Sequence, residues 1–163
     1  MNLENLISQG GVIVYILIFL NIIGFSIIFA KIVSLISFKK NLSLHANKLY
    51  ENLSNKKQID IENACELEIK KLEAGLGTIK MIASTAPLLG LLGTVYGILM
   101  AFQTMGKVGL DDPSVFSSSI AIALITTVAG LIVAIPHHIF YNYYIGALDN
   151  NEIKLKNEIL NKL

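Results

Sequence analysis

Three stretches of this chain contain no Asp, Glu, Lys or Arg: residues 5–30, 81–106 and 113–148. Each exceeds the roughly 20 apolar residues that cross a bilayer core. The spacing predicts three spanning helices, at 12–32, 83–103 and 117–136, in a single domain over residues 1–163. The third run is too long for one span, so part of it continues beyond the membrane. The charge deficit is global as well: 15% of the 163 residues are charged and 53% are hydrophobic, against about 25% charged in a soluble domain. A cleaved leader does not fit the first run. No basic residue precedes it, Asn2 and Glu4 do, and it ends at Lys31 without a small-residue cleavage site.

The lysines orient the chain. There is no arginine; nine lysines fall between Lys31 and Lys80, three lie between Lys154 and Lys162, and Lys107 stands alone beside Asp111 and Asp112. The positive-inside rule puts the 37–80 loop and the 141–163 tail in the cytoplasm, with the N-terminus and the 106–114 connection outside. Three spans make these assignments agree. No basic cluster interleaved with aromatics points to nucleic acid.

Outside the spans, Leu3, Leu6 and Ile7 form a short amphipathic lead-in. Leu42, Ala46, Leu49 and Leu53 recur at helical steps, as do Ile61, Cys65, Ile69, Leu72, Leu76 and Ile79. The spacing predicts two helices in the loop with a turn over 54–60, and a bend at Gly75 and Gly77 where the second meets the membrane helix. Cys65, the one cysteine, reads as a small side chain on a helix face. Pro113 fits the first turn of the third membrane helix, and Pro136 should kink that helix as it leaves the membrane. The following HHIFYNYY reads as an interfacial belt with Tyr141, Tyr143 and Tyr144 at headgroup depth, and with His137 and His138 in the same layer. Ile145, Leu148, Leu155 and Ile159 carry an apolar stripe onward. The fold class is an all-α integral membrane protein of three transmembrane helices, with long cytoplasmic extensions that pack against copies of themselves.

No catalytic constellation is present in the sequence. Adjacent histidines project about 100° apart on a helix and cannot share a metal as an i, i+4 pair would. There is no phosphate loop, nucleophile elbow or intramembrane carboxylate pair, so neither an enzyme nor a metal or cofactor site is expected. The polar residues of the spans say more. Thr94 and Thr127 fall near the midpoints of the second and third spans, which predicts a shared polar layer lining a pore or facing a partner; Thr126 and Ser119 are additional candidates. A lone threonine satisfied by its own i−4 carbonyl is the competing reading. Gly93, Gly97 and Ala101 repeat at every fourth residue, as do the pairs Ser119/Ala123 and Gly130/Ala134, with Gly90 nearby. Such small residues let helix backbones approach closely.

PLLGLLGTVYGILMAF (87–102) and SIAIALITTVAGLIVAIPHHIFYN (119–142) together resemble the ExbB/TolQ/MotA family of proton-channel subunits, and most closely its ExbB and TolQ members. The resemblance implies a pentameric ring in the bacterial inner membrane, N-terminus periplasmic and C-terminus cytoplasmic. The ring would surround the single helices of an ExbD-like partner, with proton flow driving a TonB-like protein that energises transport across the outer membrane. By motif position, Thr94 and Thr127 correspond to the family's pore-lining threonines, and Pro87 and Pro136 to the prolines that open its second membrane helix and close its third. One departure stands out: where many members carry a glutamate in the third helix, this chain has Ile122. A proton-carrying acid would then come from the partner. A TolQ-like role in the envelope is the same-class alternative, and a non-conducting membrane scaffold is the alternative of another class. The short loop argues against a MotA-like architecture.

Overall fold

In a computed structural model, described over residues 10–53, 58–108 and 113–161, every described element is helical. The helices are α1 (Gly11–Lys40), α2 (Leu42–Leu53), α3 (Gln58–Glu73), α4 (Leu76–Val108) and α5 (Pro113–Leu160). Three of them, α1, α4 and α5, are long and apolar enough to cross a membrane. The lead-in at Leu3, Leu6 and Ile7, residues 54–57 of the expected turn and residues 109–112 of the outer connection lie outside the described residues. Pro113 opens α5, where its missing N–H is one of the helix's unpartnered donors in any case. Pro136 lies inside α5, which continues as helix on both sides of it.

The chain divides into two compact units, Met1–Phe25 with Thr78–His138 and Ser26–Gly77 with Ile139–Leu163. Each long helix contributes to both. The core of the first unit is Leu17 of α1, Ile82 and Ala86 of α4, and Val133 and Ala134 of α5, flanked by Leu20, Leu89 and Ala129. Large apolar side chains are left on the outside, among them Phe19, Leu88, Val95, Leu124 and Ile132. Exposed apolar surface on this scale marks lipid or a partner helix as the surrounding medium.

In the second unit the helical spacing of the loop's two apolar series turns their central residues inward. Ala46 of α2 and Ile61, Cys65 and Ile69 of α3 are enclosed, with Leu148, Leu155 and Ile159 of α5. Asn41 separates α1 from α2 by one residue only. Its N–H donates to the Ser37 carbonyl at 3.1 Å while its own carbonyl accepts from His45 N–H at 3.0 Å, so the backbone ladder hardly lapses. The α3/α4 turn is tight because Gly75 takes φ +87°, a left-handed conformation that a side chain resists. The bend expected at the glycines is therefore made by Gly75. Beside it, Lys31 Nζ donates to the Leu72 carbonyl at 3.1 Å, satisfying one of the carbonyls that a helix end leaves open.

The aromatic belt is where structure and sequence part. Tyr143 is 69% exposed, but Tyr144 is 1% exposed and His137 is fully buried. Both are core residues rather than headgroup ligands. The reason is periodicity: Gly130, His137, Tyr144 and Asn151 are seven apart on one helix and share its buried face.

Candidate functional site

The first unit is organised around the seam where α4 and α5 run antiparallel, and glycine sets its width. A Cβ on Gly90 would come within 2.9 Å of the Thr126 carbonyl and 3.0 Å of Thr127 Cα; one on Gly97 would lie 2.7 Å from Ala123 Cβ; one on Gly130 would lie 2.6 Å from the Ala86 carbonyl. Gly93 faces the Thr126 side chain directly. No Cβ fits at these positions unless something shifts. The ridge glycines thus serve the hairpin within one chain, and Ala101, Ala123 and Ala134 complete it as buried residues.

Three threonines sit on or beside this seam. Thr126 is 1% exposed; its hydroxyl donates to the Ala123 carbonyl at 2.7 Å and lies 3.4 Å from the Gly90 carbonyl. It is enclosed between helices of its own chain and does not line an outer face. Thr127 is half-buried and its Oγ1 donates to the Gly90 carbonyl at 3.2 Å, bridging α5 to α4. Thr94 is also half-buried and donates to the Leu91 carbonyl of its own helix at 2.6 Å.

Helical period places Thr94 and Thr127 on the same side. At 100° per residue, Thr94 lies about 40° from Gly90 and Thr127 about 60° from Gly130, in the same rotational sense. In an antiparallel pair that sense is one shared edge of the seam. Leu89 and Ala129 stand on the opposite edge, and these pack into the cluster with Leu17 of α1. The two threonines therefore occupy the edge turned away from α1. They are not at one depth: Thr127 lies against Gly90, and Thr94 is four residues, about 6 Å, further along α4. Ser119 is half-buried near the far end of the seam, its carbonyl 2.9 Å from where a Gly97 Cβ would be.

The chemistry open to this edge is limited and definite. Each hydroxyl has one proton, already donated to a backbone carbonyl, and retains oxygen lone pairs. The edge can accept hydrogen bonds from water or from a protonated acid; it cannot itself take up and pass on a charge. Ile122, half-buried on the same helix, adds nothing titratable. Among the described residues no group of three or more His, Cys, Asp or Glu side chains is placed to hold a metal ion.

One buried polar group was not legible in the sequence. The His137 ring stacks edge-on to Phe25 at 5.1 Å, and its Nδ1 lies 2.7 Å from the Val133 carbonyl. Its Nε2 is buried without a hydrogen-bond partner and points at Gly24, where a Cβ would collide with the ring. Gly24 on α1 is thus the socket for His137 on α5. The seven-residue spacing from Gly130 was the signal that could have found it.

Comparison with known proteins gives the chain a family. Residues 28–157 match the MotA/TolQ/ExbB proton channel family. The biopolymer transport protein ExbB of Aquifex aeolicus is 36% identical over 121 residues, covering 74% of this chain and 75% of that protein. An ExbB homologue of Methanothermobacter thermautotrophicus is 38% identical over 108 residues, 64% of this chain and 37% of that protein. The ExbB of Neisseria gonorrhoeae is 36% identical over 85 residues, 52% of this chain and 39% of that protein. The matched regions thus span well under half the length of two of these relatives and three quarters of the third. With four fifths of its length inside the family match, this chain belongs to the MotA/TolQ/ExbB proton channel family.

Proposed function

We propose that this chain is an ExbB-type subunit of a proton-motive-force-driven motor in a bacterial inner membrane, not an enzyme. Copies form a ring, a pentamer by analogy with the family, with the N-terminus periplasmic and the C-terminus cytoplasmic. The ring encloses an ExbD-like single-span partner and drives a TonB-like protein that energises transport across the outer membrane. The observation that carries this reading is the seam edge of Thr94 and Thr127: two hydroxyl oxygens with free lone pairs, turned away from α1, on helices whose charge-free stretches, 81–106 and 113–148, contain no acid. Such an edge favours a partner whose carboxyl is neutral as it passes. A charged side chain at mid-membrane costs at least about 2.5–3.5 kcal/mol, whereas a protonated acid can donate to threonine.

The test is reconstitution in vesicles with an ExbD-like partner, reading dissipation of an imposed pH gradient. Thr94→Val and Thr127→Val should leave the complex assembled and each lower proton flux about tenfold, the kinetic equivalent of one lost polar partner. Unchanged flux in both would defeat the polar-edge reading, and no flux from the wild type with its partner would favour a passive scaffold.

A further inference from the structure

A groove of about 360 Å³ opens in the second unit between the end of α1 and the later part of α5. Lys39 comes from α1; Asn142, Gly146, Asn150, Asn151 and Lys154 come from α5. No Asp or Glu lines it, and among the described residues neither lysine has a carboxylate partner. The asparagine amides add N–H donors beside the two ammonium groups. Asn151 forms a fixed wall: it is 3% exposed and its Nδ2 donates to the Ala147 carbonyl at 2.6 Å. The groove is a cationic, donor-rich recess that no acidic side chain among the described residues lines.

Its position identifies the anion it suits. On α1 the exposed apolar residues Val33 and Ile36 lead directly to Lys39 and Lys40. On α5 the exposed Ile139 and Tyr143 lead to Asn142 and the groove floor. Helical side chains lean toward the helix N-terminus, so Lys39 leans back toward Val33 and Ile36, while Lys154 leans over Asn150 and Asn151 into the groove. Long amine side chains at helix ends commonly extend this way to reach the lipid interface. A soluble phosphate would use only the polar half of this surface. An amphiphile uses both halves.

We infer that the groove binds the phosphodiester headgroup of an anionic phospholipid, its acyl chains lying along Ile36 and Ile139. Lys39 and Lys154 supply charge, and Asn142 and Asn150 supply amide donors to the phosphate or its polar substituent. Gly146 keeps the floor open: a Cβ there would meet nothing within 4 Å. A larger side chain at Gly146 therefore fills the recess without clashing with the protein. The inference rests on the membrane reading of the helices and not on the motor reading, so either can fail alone.

The experiment is native mass spectrometry of the delipidated full-length assembly, offered phosphatidylglycerol or phosphatidylcholine at equal concentration. Phosphatidylglycerol adducts should be retained in excess. The Lys39→Gln/Lys154→Gln double variant should weaken them about thirtyfold, the effect expected of two lysines at an anionic surface. Gly146→Leu keeps both lysines and should weaken them as strongly; a thermal-unfolding scan checks that both variants fold. Equal retention of the two lipids would overturn the inference. So would full phosphatidylglycerol binding by Gly146→Leu, which would reveal diffuse charge rather than a groove. Displacement by millimolar inorganic phosphate or glycerol 3-phosphate would overturn it too, assigning the recess to a soluble anion.

Discussion

His137 and Gly24 show how little room single residues have in this protein. The imidazole is sealed between α1 and α5, and Gly24 exists as a place for its Nε2 edge. Gly24→Val should destabilise the first unit by about 1–3 kcal/mol, the usual cost of overpacking, read as a lower unfolding temperature in detergent. At Gly75 the constraint is torsional rather than steric. With φ at +87° and its nearest neighbours 3.7 Å away, Gly75→Ala should cost about 1–2 kcal/mol with no clash to relieve. The sequence showed the bend at Gly75, because a glycine between two helical series has an obvious use. It did not show the Gly24 socket, because the contact joins positions far apart in the chain. HHIFYNYY has the composition of an interfacial belt, and only its helical phase relative to Gly130 separates the buried His137 and Tyr144 from the exposed Tyr143.

Among the elements, the α4/α5 hairpin carries most of the information. Its glycines were readable as ridges for close approach, but a ridge does not name its neighbour. A partner copy and the chain's own third membrane helix predict the same spacing. The structure assigns Gly90, Gly93 and Gly97 to α5 of the same chain, and with them moves Thr126 off the candidate outer layer. The axial offset between Thr94 and Thr127 is illegible in the sequence for a related reason. Counting from span midpoints ignores the offset at which two helices dock, here fixed by Gly90 against Thr126 and Thr127. Two glycine substitutions should therefore behave oppositely. Gly97→Leu should separate the hairpin and prevent recovery of folded protein, since Ala123 and the Ser119 carbonyl already occupy the space. Gly146→Ala, in an open part of α5, should stabilise by about 0.5–1 kcal/mol through reduced chain entropy. Thermal unfolding of the pair side by side measures the contrast.

For the whole molecule, three charge-free runs were enough to find the three long helices, because a hydrophobic stretch of that length has few other uses. How the same helices are divided between two cores was not legible, since each continues from one unit to the other without a break in its pattern. The second core has a titration of its own. Burial pushes the Cys65 thiol above its ordinary value, only partly opposed by the Lys156 ammonium, with Glu152 and Glu62 adding to the rise. The neutral thiol is thus the form that the folded state favours. Its contribution is complete below the free thiol's pKa and is lost as pH rises through and beyond it. Stability should hold up to about pH 8.5 and then fall, and Cys65→Ala should flatten that alkaline limb in unfolding curves taken across pH.

Cys65 is also the only sulfhydryl in the chain, and it is fully enclosed. In the folded protein a maleimide or a disulfide-forming reagent finds almost no native target. Cysteines introduced at chosen positions, such as Thr94 or Tyr143, can then be cross-linked or spin-labelled in the otherwise natural protein. Its contacts with copies and partners can be mapped without first removing the native thiol.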